Sequence, residues 1–216
     1  MLKGCVVTGL FVVFEGADGT GKSTQVSGVS TRLRAAGHDV VVTREPGGSR
    51  VAEKLRDLVL DPEHDITPIT EALIFAAARA DHIDKTIAPA LDAGQIVISD
   101  RFVGSSIAYQ SAGRGLSQQA IMDLNAYATA GLTPDVTIVL DLAETVAGRR
   151  RIARGETADR MESAPDGFQD AVRASFLDQA QAAPERHLVI DALQTPEAIT
   201  EEILAHLATT FGVNIS

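Results

Sequence analysis

Residues 16–23 of the chain read GADGTGKS, a spacing typical of a loop that binds phosphate groups. Two glycines bracket four residues, so successive backbone N–H groups can turn inward without side-chain clashes and form an anion-binding nest at a helix N-terminus. Lys22 is placed to reach the β- and γ-phosphates of a nucleoside triphosphate, and the Ser23 hydroxyl to ligate Mg²⁺. We therefore predict a nucleotide-binding loop made of Gly16, Ala17, Asp18, Gly19, Thr20, Gly21, Lys22, Ser23 and Thr24.

Other segments narrow the class of phosphate-binding protein. The sequence has no Asn-Lys-x-Asp guanine motif, and its third apolar run ends in Asp100 and Arg101, not in the Asp-Glu pair typical of ATPases that polarise a water. The segment 115–119 is only faintly similar to a transporter signature, because it lacks paired glycines. These absences favour a phosphotransferase over a GTPase, an ATPase or a transporter. For the loop itself, the alternative is an ordinary glycine-rich turn.

Arg101 follows a predicted strand, at the end of the sheet where α/β proteins place ligands. A guanidinium there can clamp the phosphate of an acceptor in a bidentate fashion. The alternative is an ion pair with a neighbouring carboxylate such as Asp100, which itself either holds Mg²⁺ through water or caps the loop. Arg44 follows the preceding strand and is predicted to contact the same acceptor phosphate; Glu45 beside it has no predicted role.

Phe75 and Arg79 lie four residues apart in a predicted helix and therefore share one face. On that face an aromatic ring can stack on a base while the guanidinium donates to a carbonyl oxygen at the base edge. Helix spacing alone favours the alternative, a core phenylalanine and a solvated arginine.

Five arginines stand within twelve residues of an otherwise acidic chain, at positions 149, 150, 151, 154 and 160. With the small residues around Gly155, they are typical of a lid, at about residues 148–162, that closes on a nucleotide and stabilises charge on the transferring phosphoryl group. The alternative is a solvated helix face with Glu144, Glu156 and Asp159 as ion-pair partners.

Short apolar runs alternate along the chain with longer segments of helical spacing. Strands are predicted at Leu10–Phe14, Val40–Thr43, Ile96–Ser99, Val136–Leu140 and Leu188–Ile190, and helices at Ser23–Ala35, Val51–Leu60, Thr70–Leu91, Ser117–Ala130 and Ala143–Arg154. Strands that alternate with helices indicate βαβ units and a parallel sheet covered on both faces. We predict one α/β domain over residues 1–216, with a five-stranded parallel sheet flanked by helices, because no repeat or long linker divides the chain.

The composition limits the partners of the protein. A net charge of −10 argues against polymeric DNA or RNA, which bind through basic surfaces. Cys5 is the only cysteine, so we expect neither an intrachain disulfide nor a cysteine-based metal site. The apolar run 5–14 is too short to span a membrane, so we predict a cytoplasmic protein without a membrane partner.

Several short stretches, taken together and in this order, resemble the thymidylate kinase family. They are the P-loop, Thr43–Gly48 (TREPGG), Phe75–Arg79 (FAAAR), Asp100–Gln110 (DRF, then Ser105, then AYQ), Pro134–Leu142 and Ile190–Ala192. The resemblance implies a P-loop strand in the centre of the sheet and a homodimer. It also implies transfer of the γ-phosphoryl group of Mg·ATP to thymidine monophosphate (dTMP), giving dTDP and ADP.

The resemblance assigns roles at the acceptor base. At matching positions the family holds thymine with Phe75 and Arg79, and faces the N3 edge of the pyrimidine with Ser106. Gln110 reaches either the base or only the neighbouring backbone. Ala78 departs from the family pattern, in which an aspartate is common before the base-reading arginine.

The resemblance also assigns roles at the sugar and in the lid. Asp18 matches a residue that accepts a hydrogen bond from the 3′-hydroxyl, and Tyr109 one that crowds the 2′ side of the sugar. Residues 17–20 include no cation, so the chain is similar to members that carry the catalytic arginine in the lid. We assign that role to Arg154 and, within the group 149–151, to Arg150.

The implied mechanism needs no general base, because the attacking phosphate oxygen of dTMP is already anionic. Catalysis would come from alignment and electrostatic stabilisation by Lys22, Mg²⁺, Arg101 and the lid. Two other functions stay open at this point. One is a nucleoside monophosphate or deoxynucleoside kinase for another acceptor, and the other is a non-catalytic P-loop protein that binds a nucleotide as a switch.

Overall fold

The computed structural model describes residues 9–154 and 167–215, with the backbone alone for residues 151–154. Its five strands, β1 (Leu10–Glu15), β2 (Val40–Arg44), β3 (Ile96–Asp100), β4 (Val136–Asp141) and β5 (His187–Asp191), form one parallel sheet in the order β2-β3-β1-β4-β5. The predicted fold class is confirmed, each strand begins and ends within one residue of its prediction, and the strand before the P-loop is central.

Helices cover both faces of this sheet. They are α1 (Lys22–Ala35), α2 (Arg50–Leu60), α3 (Pro68–His82), α4 (Ala88–Asp92), α5 (Val103–Ser106), α6 (Gln118–Thr129), α7 (Glu144–Arg154), α8 (Phe168–Ala182) and α9 (Pro196–Phe211). Two π-helical segments, Ile83–Ile87 and Ile107–Gly113, and a 3₁₀ turn, Pro184–Arg186, complete the described elements. Of these helices, α5, α8 and α9 lie outside the predicted set.

The predicted helix Thr70–Leu91 is not continuous. The chain forms α3, then the π-helical segment Ile83–Ile87, then α4, and the N–H of Ala88 bonds five residues back to the carbonyl of Ile83. Pro89 explains the break, because proline lacks an N–H and its ring clashes with the carbonyl four residues earlier. Helical spacing alone predicts the direction of the chain here but not this bulge.

The central strand β1 is buried on both faces, which explains its nearly continuous apolar sequence. Phe11 and Val13 point to one face and pack in a cluster with Phe102 and the π-helical segment Ile83–Ile87. Val12 and Phe14 point to the other face and pack against α1 and α9. This packing places the last residue of β1, and the loop that follows it, at the middle of the sheet edge.

The register brings the carboxyl ends of neighbouring strands together. In the ladders, Asp100 at the end of β3 pairs with Arg44 of β2 and with Phe14 of β1. The P-loop, the loop after Arg44 and the turn at Arg101 therefore meet at one edge of the sheet. None of the helices in the described ranges is long and apolar enough to cross a lipid bilayer.

Candidate active site

The P-loop wraps around the ammonium group of Lys22. Gly16 has φ +139°, and a Cβ there would lie 2.6 Å from the carbonyl oxygen of Leu140, so only glycine fits without a shift. Gly21 has φ +98° and precedes the first residue of α1. Lys22 Nζ donates to the carbonyl oxygens of Gly16 and Ala17, both at 2.9 Å. The strand-loop-helix context expected for a phosphate-binding loop is present.

Burial, with the nearby charge of Arg101, lowers the pKa of Lys22 to about 8. The carboxylates of Asp18, Asp100 and Glu15 act in the opposite direction but do not compensate. The ammonium is therefore largely protonated at neutral pH and becomes neutral just above it.

This pKa predicts a pH limit on nucleotide capture. The value of kcat/KM for ATP is expected to fall with rising pH above about pH 8, because a neutral Lys22 no longer attracts the triphosphate. Steady-state kinetics between pH 6.5 and 10 measure this limb. The variant Lys22→Met, which has no proton to lose, should show no such limb. A wild-type profile that stays flat to pH 10 would contradict the prediction.

Ser23 and Asp100 meet beside the phosphate loop. The Ser23 hydroxyl donates to Oδ2 of Asp100 at 3.1 Å, and both residues line the same cavity. A hydroxyl and a carboxylate are hard oxygen ligands of the kind that Mg²⁺ takes together with phosphate oxygens and water. The described residues include no cluster of three or more His, Cys, Asp or Glu that could hold a metal ion. The pair therefore fits a magnesium ion that arrives with a nucleotide.

Arg101 projects into the cavity from a backbone with φ +74°, unusual for a residue other than glycine. Its Nη1 donates to Ser105 Oγ at 2.9 Å and to the Gly16 carbonyl at 3.3 Å. Its Nη2 donates to the Asp18 carboxylate and, at 3.1 Å, to the Tyr109 hydroxyl. The arginine thus pairs with Asp18 from the P-loop, not with its neighbour Asp100.

Glu15 supports the turn that carries Arg101, a role that sequence reasoning missed. Its side chain is buried, and Oε1 accepts from the N–H groups of Phe102 and Ser105 at 2.9 Å each. Ser105 Oγ donates to Oε2 at 2.6 Å. A charged residue that ends an otherwise apolar strand was the available signal.

Asp18 is held as a carboxylate by its partners. Burial alone would raise its pKa, but the charges of Arg101 and Lys22 and a hydrogen bond from Tyr109 lower it to about 2. The Tyr109 hydroxyl donates to Asp18 Oδ2 at 2.9 Å, and burial raises the pKa of this phenol well above its usual value. The P-loop thus places the Asp18 carboxylate, which can accept a hydrogen bond, next to Arg101.

The guanidinium of Arg79 is buried in a network of protein acceptors. Its Nε donates to Glu45 Oε2 at 2.7 Å, and Nη2 donates to the Phe102 carbonyl at 3.0 Å. Its Nη1 donates to Ser106 Oγ at 3.0 Å and to Asn125 Oδ1. Arg79 lines the cavity, but these protein acceptors engage all three nitrogens of its guanidinium, so its direct contact with a base stays a prediction.

Glu45 organises this network, although the sequence indicated no role for it. Besides Arg79, its carboxylate contacts His82 Nδ1 at 3.1 Å, and His82 Nε2 lies 2.6 Å from Thr43 Oγ1. The three side chains come from β2, the loop after it and α3. Burial of a carboxylate is tolerated here because it is paired with a guanidinium.

A single cavity of about 360 Å³ joins these groups. The predicted site residues that line it are Asp18, Gly19, Gly21, Lys22, Ser23, Thr24, Arg44, Phe75, Arg79, Asp100, Arg101, Ser106, Tyr109 and Gln110. Arg56, which donates to the Pro46 carbonyl at 2.8 Å, lines it too and was not predicted. The predicted loop residues Gly16, Ala17 and Thr20 do not line the cavity.

Of the two predicted lid arginines, Arg150 is described and does not line the cavity. Arg150 donates to the carbonyl of Ala192 at 3.1 Å, in the turn between β5 and α9. The side chain of Arg154 and most of the predicted lid, residues 155–162, lie outside the described residues. Both assignments therefore stay predictions.

Comparison with known proteins decides the family. The family model described as thymidylate kinase matches residues 14–203. The chain belongs to the thymidylate kinase family. It is 46% identical over 197 residues to the thymidylate kinase of Deinococcus radiodurans, which covers 91% of this chain and 95% of that protein. It is 48% identical over 205 residues to the thymidylate kinase of Cereibacter sphaeroides, covering 93% and 94%.

A solved structure of the family has the same fold. The crystal structure of thymidylate kinase from Ehrlichia chaffeensis superimposes with a TM-score of 0.73 at 31% identity, over 92% of this chain and 98% of that one. As a member of the thymidylate kinase family, the chain is a kinase, and ATP-dependent phosphorylation of dTMP to dTDP follows from that membership.

Proposed function

We propose that this chain transfers the γ-phosphoryl group of Mg·ATP to dTMP through the cavity between the P-loop and α3. The observation that carries the proposal is that one cavity joins a phosphate loop at Lys22 to a second cation, Arg101, and to an aromatic wall at Phe75. A triphosphate and a nucleoside monophosphate fit such a cavity end to end. Family membership supports the same acceptor.

In this proposal the donor phosphates occupy the P-loop nest, where Lys22 neutralises charge on the β- and γ-phosphates. Ser23 and Asp100 would hold the magnesium ion, which screens the charge between the phosphates when bound. Arg101 clamps the acceptor phosphate, whose anionic oxygen attacks without a general base. Arg44 contacts the same phosphate, and Arg150 and Arg154 add charge stabilisation from the lid.

The acceptor nucleoside lies between α3 and the segment 103–113 in this proposal. Phe75 stacks on the base, while Arg79, Ser106 and Gln110 contact its edge. Asp18 accepts from the 3′-hydroxyl, and Tyr109 occupies the space that a 2′-hydroxyl would need. The hydrogen bond from Tyr109 to Asp18 supports this pairing, since one side chain orients the other.

The test is a coupled assay of ADP release with ATP and a panel of dTMP, dUMP, UMP, dCMP, AMP, GMP and thymidine, with and without Mg²⁺. A clear preference for dTMP and a dependence on Mg²⁺ are expected. Preference for another acceptor would reject the base-pocket assignment, and ADP release that no acceptor stimulates would reject transfer altogether.

Consumption of ATP fits the proposed cytoplasmic location.

We also propose that the protein is a homodimer through α2, α3 and α6. These helices pack side by side, α2 on α3 and α3 on α6. They carry large apolar side chains that are between 41% and 90% exposed: Val51, Leu58, Ile69, Leu73, Met122 and Tyr127. Exposed apolar side chains on three neighbouring helices are typical of an interface, and a two-fold axis would bury them against their own copies.

A charge in this surface is predicted to separate the subunits. Leu73→Glu should weaken dimerisation by about 100-fold, because it would bury an unpaired carboxylate in the apolar contact. Size-exclusion chromatography with light scattering over a range of protein concentrations measures the change. Leu193→Glu is the matched control, since Leu193 is also exposed but lies in the turn after β5. A monomeric wild type, or a Leu73→Glu variant that dimerises like the wild type, would contradict the proposal.

A further inference from the structure

Glu71 is a buried carboxylate that no step of the proposed reaction uses. It lies on α3 one helical turn before Phe75 and two turns before Arg79, so the three residues share one helix face, on which Phe75 and Arg79 line the cavity. Its side chain is 0% exposed. A charge is costly to bury unless it is paired and hydrogen-bonded, so the partners of Glu71 show what its carboxylate holds in place.

Glu71 holds the amide of Gln110. The Nε2 of Gln110 donates to Glu71 Oε1 at 2.8 Å. Arg114 contacts the same carboxylate, with Nε 3.4 Å from Oε1 and Nη2 3.3 Å from Oε2. An ionised carboxylate only accepts hydrogen bonds, so Gln110 must present its NH₂ end to Glu71. The carbonyl Oε1 of Gln110 is thereby turned away from Glu71, and Gln110 is one of the residues that line the cavity.

The hydroxyl of Ser106, a second neutral polar group among the cavity-lining residues, is also oriented by a residue of α3. Ser106 Oγ accepts from Arg79 Nη1 at 3.0 Å, so its own hydrogen is free to be donated elsewhere. A charged residue of α3 thus determines the polarity of each neutral group opposite: Glu71 makes Gln110 an acceptor, and Arg79 favours Ser106 as a donor. Thymine offers an N3–H donor and an O4 acceptor, whereas cytosine offers an N3 acceptor and an N4 donor.

We propose that Glu71 is a specificity-positioning residue that makes the site select 4-oxo pyrimidines by fixing the amide orientation of Gln110. The inference rests on the proposed phosphorylation of dTMP and concerns how its base is chosen. With Glu71 ionised, the Gln110 carbonyl faces the base and meets the N3–H of thymine. A cytosine ring would place its N3 lone pair against that carbonyl, leaving both acceptors without a proton.

The matched substrates are dTMP and 5-methyl-dCMP, which share the ring methyl and differ only at N3 and C4. In Glu71→Gln the new amide can donate to Gln110 or accept from it, so the Gln110 amide is free to reverse. The kcat/KM ratio of dTMP to 5-methyl-dCMP is expected to fall by about tenfold or more, and kcat/KM for 5-methyl-dCMP itself is expected to rise. Structural damage would lower both activities and would not produce that gain.

Arg114→Lys is the control for a purely structural pairing. Arg114 lies over the ring of Phe168 at 5.1 Å, so Glu71 could serve only to anchor it. The lysine keeps a cation beside Glu71, but it loses the planar contact. The ratio should stay within about twofold of the wild type. An equal fall of the ratio in Arg114→Lys and Glu71→Gln would overturn the inference, as would an unchanged ratio in Glu71→Gln.

A second variant covers the case in which Glu71→Gln does not fold. Gln110→Met removes the amide and leaves Glu71 with Arg114, and it should lower the ratio chiefly through a loss of kcat/KM for dTMP, because methionine offers no carbonyl to the N3–H of thymine. An unchanged ratio there also overturns the inference. Failure of the proposed function looks different, since the wild type itself would then show no preference for dTMP.

Discussion

Replacing Arg101 by alanine is expected to lower kcat with dTMP by about 10³-fold while changing the KM for ATP by less than about threefold. Arg101 directly follows β3, and its guanidinium contacts Asp18 and Tyr109 in the cavity. Its guanidinium would stabilise charge that grows on the acceptor phosphate in the transition state. Steady-state kinetics with each substrate varied in turn separate the two parameters.

The backbone at position 101 does not complicate this result. Arg101 already has φ +74°, so alanine inherits the same conformation and adds no new strain of that kind. Arg101→Lys should recover little of the activity, because an ammonium cannot bind a phosphate bidentately. Arg32→Ala, which removes an exposed arginine paired with Glu201, is the control and should change neither kcat nor the KM for ATP. Equal losses in kcat and in ATP affinity would reject the acceptor assignment.

Lys22→Met is expected to lower kcat/KM for ATP by about 10³-fold without lowering the stability of the fold. Methionine fills the volume of the lysine stem but carries no charge to the β- and γ-phosphates. The two carbonyls that Lys22 contacts keep other donors: Arg101 Nη1 donates to Gly16, and Thr20 Oγ1 donates to Ala17 at 3.0 Å. No buried carbonyl is left without a partner among these groups.

The pKa of Lys22 fixes the sign of the stability change. The value is about 8 in the folded chain, against an ordinary 10.5, so the unfolded chain binds more protons between these two pH values. Wild-type stability therefore rises relative to Lys22→Met as the pH increases from 8 to 10.5. At pH 7 the wild type carries the full cost of the buried charge, and the variant should unfold at an equal or higher temperature. Thermal unfolding at pH 7 and pH 10 measures both effects, and a variant that melts lower at pH 7 would contradict the account.

Local sequence patterns were sufficient for the fold class and for predicting the P-loop. The P-loop is a run of eight neighbouring residues whose glycines and lysine act through their own backbone and side chains. The apolar runs of the strands reflect burial on both faces, a property of each strand in turn. Such short-range features can be recognised in the sequence without knowledge of the tertiary structure. The helix break before Pro89 was missed because spacing predicts the direction of a helix, not its hydrogen-bond register.

The supporting carboxylates of the acceptor side depended on contacts between distant parts of the chain. Glu15 meets Ser105 across 90 residues, Glu45 meets Arg79 across 34, and Glu71 meets Gln110 across 39. No spacing in the sequence links these pairs, and each carboxylate by itself is as compatible with a solvated surface as with a core. The tertiary structure decides between the two, because only the packing of α3 and the turn after β3 against the sheet buries these charges beside their partners.

The amino-acid sequence by itself therefore determined that this chain binds a nucleotide through a P-loop at the edge of a parallel sheet, since those features are local. Only the tertiary structure decided how Arg101, Arg79 and Gln110 are oriented. Their orientation comes from buried carboxylates, and a buried charge must be paired by whatever the fold brings within reach.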